Sequence, residues 1–266
     1  MNRRRPSHSG IPLVLLVPAG AGLLFLLLPL VGLVARAPWS TLPERLGAPG
    51  VLEALRLSLL SASAATVLSL ALGVPLAWLL ARASFPGRRL VRALVTVPLV
   101  LPPVVGGVAL LLVFGRRGLV GAWLDHTFGV SLPFTTAGVV LAETFVAMPY
   151  LILAVEGALR AADARYEEAA ATLGAGRWTV FRRVTLPMIR PGLVAGAVLC
   201  WARAIGEFGA TITFAGNSPG RTQTMPIAVY LALETDPAAA IVLSLLMLAV
   251  SVAVLTSLRG RWAGTP

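Results

Sequence analysis

Glu167 to Pro187 reads EEAAATLGAGRWTVFRRVTLP, and the rest of the chain is organised around it. The stretch lies between two long apolar runs, yet carries Glu167, Glu168, Arg177, Arg182 and Arg183. From Asp163 to Leu173 most residues are helix formers: Ala, Glu, Arg and Leu. Asp163 is placed to cap that helix, with Glu167 and Glu168 near the positive end of its dipole. Gly174 can take the left-handed conformation that stops it. Arg177 to Val184 suits a second short helix, halted before Pro187. Two short helices at a corner, with small alanine faces, make a knob that another protein's groove can receive. The plain alternative is an ordinary surface helix-turn-helix.

Of the 266 residues, 57% are hydrophobic and 12% charged, with a mean hydropathy of +0.86. Such a chain is no ordinary soluble domain, and its runs near twenty apolar residues mark membrane helices. A net charge of +11 would suggest nucleic acid in a soluble protein. Here the charge lies between spans, so membrane orientation explains it and no nucleic-acid partner is implied. All 22 basic residues are Arg, which reflects composition bias and carries no function. The single cysteine, Cys200, excludes an internal disulfide and a multi-cysteine metal site. It sits in an apolar run and suits a buried small side chain. His8 and His126 fall in expected loops, so no catalytic His–Cys pair, metal or cofactor site is suggested.

Six spans are expected, giving an all-α polytopic membrane protein. After Arg3, Arg4 and Arg5 the first runs from about Ile11 to Ala35, longer than a signal peptide's apolar core and so retained. The second runs from about Val51 to Ala81 with a kink at Pro75, after a loop from Ala37 to Gly50. The third, about Ala93 to Phe114, holds Pro98, Pro102, Pro103, Gly106 and Gly107, breakers that neighbouring helices can offset. A loop from Gly115 to Pro133 leads to the fourth span, Phe134 to Ala158. The organising loop follows, then a fifth span from Met188 to Phe214, a polar loop to Asp236, and a sixth span from Pro237 to Leu258. Fifteen arginines then fall on the side of both termini and the Glu168 loop, against six on the other, with Arg203 inside a span. The bias places both termini in the cytoplasm, although Arg116 and Arg117 run against it.

Trp201 to Thr224, WARAIGEFGATITFAGNSPGRTQT, is the second informative stretch. Arg203 and Glu207 are charged residues within or near the bilayer, costly unless paired or wet. Their spacing of four lets them pair on one helix face, while Gly206, Gly209 and Ala210 let helices approach closely. Two readings stay open: a self-neutralised pair packing this helix on its neighbour, or a polar position lining a pathway or outer gate. Glu143 and Glu156 in the fourth span also need partners. Glu156 is near enough to the cytoplasmic end to reach water, and Glu143 lies at a depth that would allow contact with Arg203.

Glu168-Ala169-Ala170, three further residues, Gly174, nine more, then Val184-Thr185-Leu186-Pro187 resemble the EAA loop of binding-protein-dependent ABC importer permeases. Val184 stands where that family usually has Ile. Arg203 to Ala210, RAIGEFGA, then Phe214 to Asn217 and Thr222 to Tyr230, resemble the molybdate permease subunits of ABC importers. Sulfate and thiosulfate permeases carry related G-E-F-G-A segments. The resemblance covers roughly Val51 to Leu258, and implies a type I importer permease fold. Residues 1–50 then hold a tail, first span and outer loop, 51–258 the transport domain with its coupling loop near 160–187, and 259–266 a cytoplasmic tail. It implies a homodimer in the cytoplasmic membrane, separate cytoplasmic ABC ATPase subunits and an extracytoplasmic molybdate-binding protein. It assigns ATPase coupling to Glu167, Glu168, Ala169, Ala170, Gly174, Leu186 and Pro187. Arg203, Glu207, Phe208, Gly209 and Thr211 are its candidates for pathway or gate. The chain has no G-x-x-x-x-G-K-[ST] run to cradle phosphates, so hydrolysis would belong to a partner. Tungstate, sulfate or thiosulfate are the alternative cargoes. A secondary transporter would need its own midplane coupling residues and repeats, and a purely structural membrane protein would not need the spaced Glu168–Pro187 pattern.

Overall fold

The structure, a computed structural model, describes residues 13–262. Among them all regular structure is helical, as hydrocarbon requires of a chain that must satisfy its own backbone polar groups. The long helices are α1 (Leu13–Ala35), α3 (Pro49–Arg82), α7 (Thr136–Ala161), α10 (Leu186–Ile205) and α13 (Pro237–Trp262). Shorter ones are α2 (Leu42–Leu46), α4 (Arg88–Val100), α5 (Pro103–Phe114), α6 (Gly121–Phe128), α8 (Arg165–Thr172), α9 (Arg177–Val180), α11 (Gly209–Ala215) and α12 (Met225–Thr235). Five helical stretches are long and apolar enough to cross a membrane, and six if the bent pair α4–α5 counts as one span. Arg3, Arg4, Arg5, His8 and the expected start at Ile11 lie outside the described residues.

Several expected boundaries shift, each for a local reason. The third span is not one helix: α4 and α5 meet at 117°, because Leu101 and Pro102 are extended ahead of Pro102 and Pro103. The fifth span also breaks, at Gly206, and resumes as α11. The second short helix is not halted before Pro187. It runs from α9 through a π turn, Phe181–Thr185, straight into α10, with Leu186 N–H bonded to Phe181 O. Pro187 follows directly on the π turn within this continuous run and, having no N–H, makes no bond back into it. Three expected loops contain helices. α2 lies between Ala37 and Gly50, His126 lies in α6, and apolar α12 fills half of the loop expected before Asp236. The last helix continues past Leu258 to Trp262, so Arg259 and Arg261 lie on a helical extension of the sixth span.

α7 is the hub, packed on both α3 and α10. The seam is built from small residues, with Ala62, Ala65, Ala77, Ala147, Cys200 and Ala204 buried beside Leu80, Leu151 and Ile152. Small side chains let helices approach where lipid gives no hydrophobic drive to associate. Gly73, for example, leaves only 3.2 Å between a would-be Cβ and Ile152. A second cluster joins α5, α7 and α11 through Leu110, Ala142, Val146, Ala210 and Phe214. A third joins α3, α12 and α13 through Ala54, Met225 and Leu243. α1 packs on α13 and is exposed along most of its length.

Candidate functional site: a polar loop and a buried polar layer

The loop after α7 keeps its corner by backbone chemistry. Asp163 Oδ1 accepts from Arg165 N–H at 3.0 Å, capping α8 from two residues ahead. At the other end Gly174 has φ +85°. Ala175 N–H reaches Ala170 O at 3.1 Å and Gly174 N–H reaches Ala171 O at 3.0 Å, the paired bonds of a Schellman closure. Nothing lies within 4 Å of a Cβ placed on Gly174, so the glycine is required by its backbone angle alone.

The two glutamates of the loop diverge. Glu168 is exposed, as are Ala169, Gly174 and Pro187, while Ala170 and Leu186 are half-buried. Glu167 turns inward, where its Oε1 accepts from Arg82 Nη2 and from Thr185 Oγ1, each at 3.0 Å. The same loop exposes three large side chains that sequence reasoning did not single out. Tyr166 is 62%, Leu173 89% and Trp178 70% exposed. Trp178 stacks on Phe181 with ring centroids 5.7 Å apart, beside a hollow bordered by Trp78, Ala171 and Ala175. Exposed apolar side chains on the same short segment as exposed Glu168, Arg182 and Arg183 have the make-up of a docking surface. Nearby, Glu156 does not reach water as expected. It is buried, and its Oε1 accepts from Arg92 Nη2 at 2.6 Å and Arg160 Nη2 at 2.7 Å. An unpaired carboxylate so deep would be costly, and two arginines remove that cost.

The second location surrounds the break between α10 and α11. Arg203 and Glu207 do pair, Nη2 to Oε2 at 2.6 Å. They do so across the break rather than along one helix face, since α10 ends at Ile205. Glu207 is 1% exposed, and its Oε1 accepts from Ala210 N–H at 2.7 Å, giving α11 its first-turn acceptor. Glu143 does not meet Arg203. Its partner is Ser61 Oγ at 2.8 Å, across the α3–α7 seam. Ser58 Oγ, one turn earlier on α3, accepts from Met225 N–H at 2.8 Å and so anchors the start of α12. Thr211 and Thr224 complete a buried polar layer spanning α3, α7, α11 and the approach to α12. Glu143 Oε2, Thr211 Oγ1 and Thr224 Oγ1 have no partner there.

Of the residues expected near a pathway, Arg203 and half-buried Phe208 reach the surface, whereas Glu207, Gly209 and Thr211 are inside. Phe208 rests against the Tyr230 ring at 5.0 Å. Gly209 earns its lack of a side chain, because a Cβ would meet Pro103 Cβ at 2.9 Å and Val104 N at 3.1 Å. Gly107 is tighter still, at 2.6 Å from Thr213 Cβ. The breaks of the third and fifth spans therefore abut. Gly206, grouped with Gly209 from sequence, is exposed and makes no such contact.

Comparison with known proteins agrees with this architecture. The chain is 49% identical over 251 residues, 94% of its length and 95% of the relative's, to the molybdenum transport system permease protein ModB of Mycobacterium tuberculosis. It is 38% identical over 247 residues, 90% of its length and 89% of the relative's, to the sulfate transport system permease protein CysT of Escherichia coli. Its fold matches a chain from the crystal structure of a bacterial ABC transporter involved in import of the acidic polysaccharide alginate, with a TM-score of 0.76 at 16% identity and 95% of both chains covered. Residues 73–261 match the model of the binding-protein-dependent transport system inner membrane components, and the chain belongs to that family.

Proposed function

We propose that the chain is the membrane-spanning subunit of an ATP-driven importer of molybdate. The observation that carries the substrate is the 49% identity, over nearly the whole of both chains, to a permease named for molybdenum transport. The sulfate permease match, at 38%, makes sulfate the second reading. Tungstate shares the shape and charge of molybdate and should share its route.

In this reading residues 160–187 are the cytoplasmic coupling loop, held by two ATPase subunits that supply the hydrolysis. Exposed Glu168, Tyr166, Leu173 and Trp178 support docking. The arginine bias puts that loop and both termini in the cytoplasm. Two copies of the chain form the pathway between residues 51 and 258 of each, and an extracytoplasmic binding protein delivers the cargo. Selectivity lies mainly in that protein, because the transport subunit must release what it receives. Arg203 and Phe208 are the side chains at the fifth-span break best placed to meet the pathway, as both reach the surface there.

The test is ATP hydrolysis by the whole assembly in lipid vesicles. Molybdate-loaded binding protein should stimulate it, tungstate should substitute well, and sulfate poorly. Stimulation by sulfate alone would overturn the substrate but leave the class. A chain that never co-purifies with an ATPase would overturn the class itself.

A further inference from the structure

We infer that Glu167 is a positioning residue that ties the coupling loop to the ends of two membrane-spanning helices, α3 and α10, through one carboxylate oxygen. The inference rests on the reading of residues 160–187 as the ATPase dock. One oxygen, Oε1, accepts from two separate elements. Arg82 Nη2, at 3.0 Å, is the last residue of the 34-residue α3. Thr185 Oγ1, also at 3.0 Å, closes the π turn that opens α10. The same Arg82 nitrogen donates to Ala162 O, the C-cap of α7, at 3.4 Å. The ends of α3 and α10 thus meet on one side chain of α8, and Arg82 carries the link on to the end of α7.

Burial and chemistry suit a strut rather than a surface pair. The Arg82 and Glu167 side chains are only 19% and 20% exposed, and Thr185 is 2% exposed. Charge-assisted bonds to a half-buried carboxylate are stronger than neutral ones. α8 is otherwise lightly held: its residues are half-buried or exposed, and its main packing is on α9 and the π turn. The π turn is itself a local irregularity of the kind that sits at functional positions. Glu168, the next residue, faces out and carries no such bonds. The consecutive acids therefore divide the work. Glu168 faces the partner, and Glu167 passes the displacement of the docked loop to the bundle.

The test uses the complete complex of permease, ATPase and binding protein in vesicles, with uptake counted per ATP hydrolysed. Glu167→Ala should keep the ATPase bound but lower uptake per ATP by about fivefold or more, the low end of coupling between sites. Thr185→Val, which removes one donor and keeps the side-chain shape, should shift the ratio in the same direction by less. Glu167→Gln, still an acceptor for both donors, should recover most of it. Arg82→Ala combined with Glu167→Ala should be little worse than Glu167→Ala alone. If Glu167→Ala sheds the ATPase, Glu167 is a docking residue and the inference fails. It fails equally if uptake per ATP stays at the wild-type value in Glu167→Ala or, should that variant not fold, in Thr185→Val. A wild-type chain that binds no ATPase defeats the reading of the loop itself, a distinct outcome.

Discussion

Arg203→Ala isolates what the pair at the fifth-span break contributes. Glu207 is 1% exposed and has two partners, Arg203 at 2.6 Å and Ala210 N–H at 2.7 Å. Removing the arginine leaves a buried carboxylate with one neutral donor. Breaking a fully buried pair costs about 3–5 kcal/mol. The Arg203 side chain is 25% exposed, so water already screens part of that attraction. We therefore expect about 2 kcal/mol, or a fall in Tm of roughly 4–8 °C at ~2–4 °C per kcal/mol. Glu207→Gln removes the charge but keeps an acceptor for Ala210, and its orphaned arginine can turn to water. That variant should lose only about 1 kcal/mol. In the Arg203→Ala background it should restore stability, because the uncompensated charge is gone. Melting of the four variants in detergent gives the cycle, and uptake per assembled complex should follow the melting order. Strict additivity, or an Arg203→Ala protein with unchanged Tm and no uptake, would refute the pair as a stabilising element and assign Arg203 to the pathway.

Gly107→Val should cost about 1–3 kcal/mol through overpacking against Thr213 Cβ and Ala210 O, read as a lower Tm. Gly106→Ala should cost less, since it meets a Phe145 ring edge that can shift. Gly174→Val should insert normally yet lose coupled uptake, because its φ of +85° penalises a β-branched residue. Gly174→Asn, which tolerates that angle, should retain most of it. At Asp236 the hydrogen bond from Arg45 holds the carboxyl below the usual aspartate range, helped by Ala239 N–H. A depressed pKa contributes stability that is present above the unfolded value, near pH 4, and lost as pH falls through the folded one. Asp236→Asn should remove that part of the acid-side fall in Tm.

The pattern around Gly174 and the Arg203–Glu207 spacing were legible because their determinants lie within a few residues. A helix-closing glycine and a charge pair four apart are local facts. Glu167 could not be read as a strut, since Arg82 and Thr185 lie 85 and 18 residues away. Glu143 failed for the same reason: its depth allowed several partners, and only the α3–α7 seam selected Ser61. The prolines of the third span were visible, but Pro75, Pro149 and Pro191 lie inside unbroken helices while Pro102 and Pro103 mark the break, and sequence alone does not separate the two cases. α12 was hidden by the polar residues flanking a short apolar run. The exposure of Leu173 and Trp178 is a property of the folded corner, and apolar residues in sequence give no sign of it.

The contact between Pro103 and Gly209 bears on where solvent must reach. Each interruption frees carbonyl groups at the end of one helix and amides at the start of the next. Left unpaired in hydrocarbon, each such group costs several kcal/mol. Because the two interruptions touch, both sets of freed groups fall at a single level instead of two. Glu207 takes one of the amides, that of Ala210. The remaining groups are best met by water entering beside exposed Gly206 and half-buried Phe208. If that level lines the pathway, water held there would let a doubly charged cargo keep part of its hydration shell while it crosses.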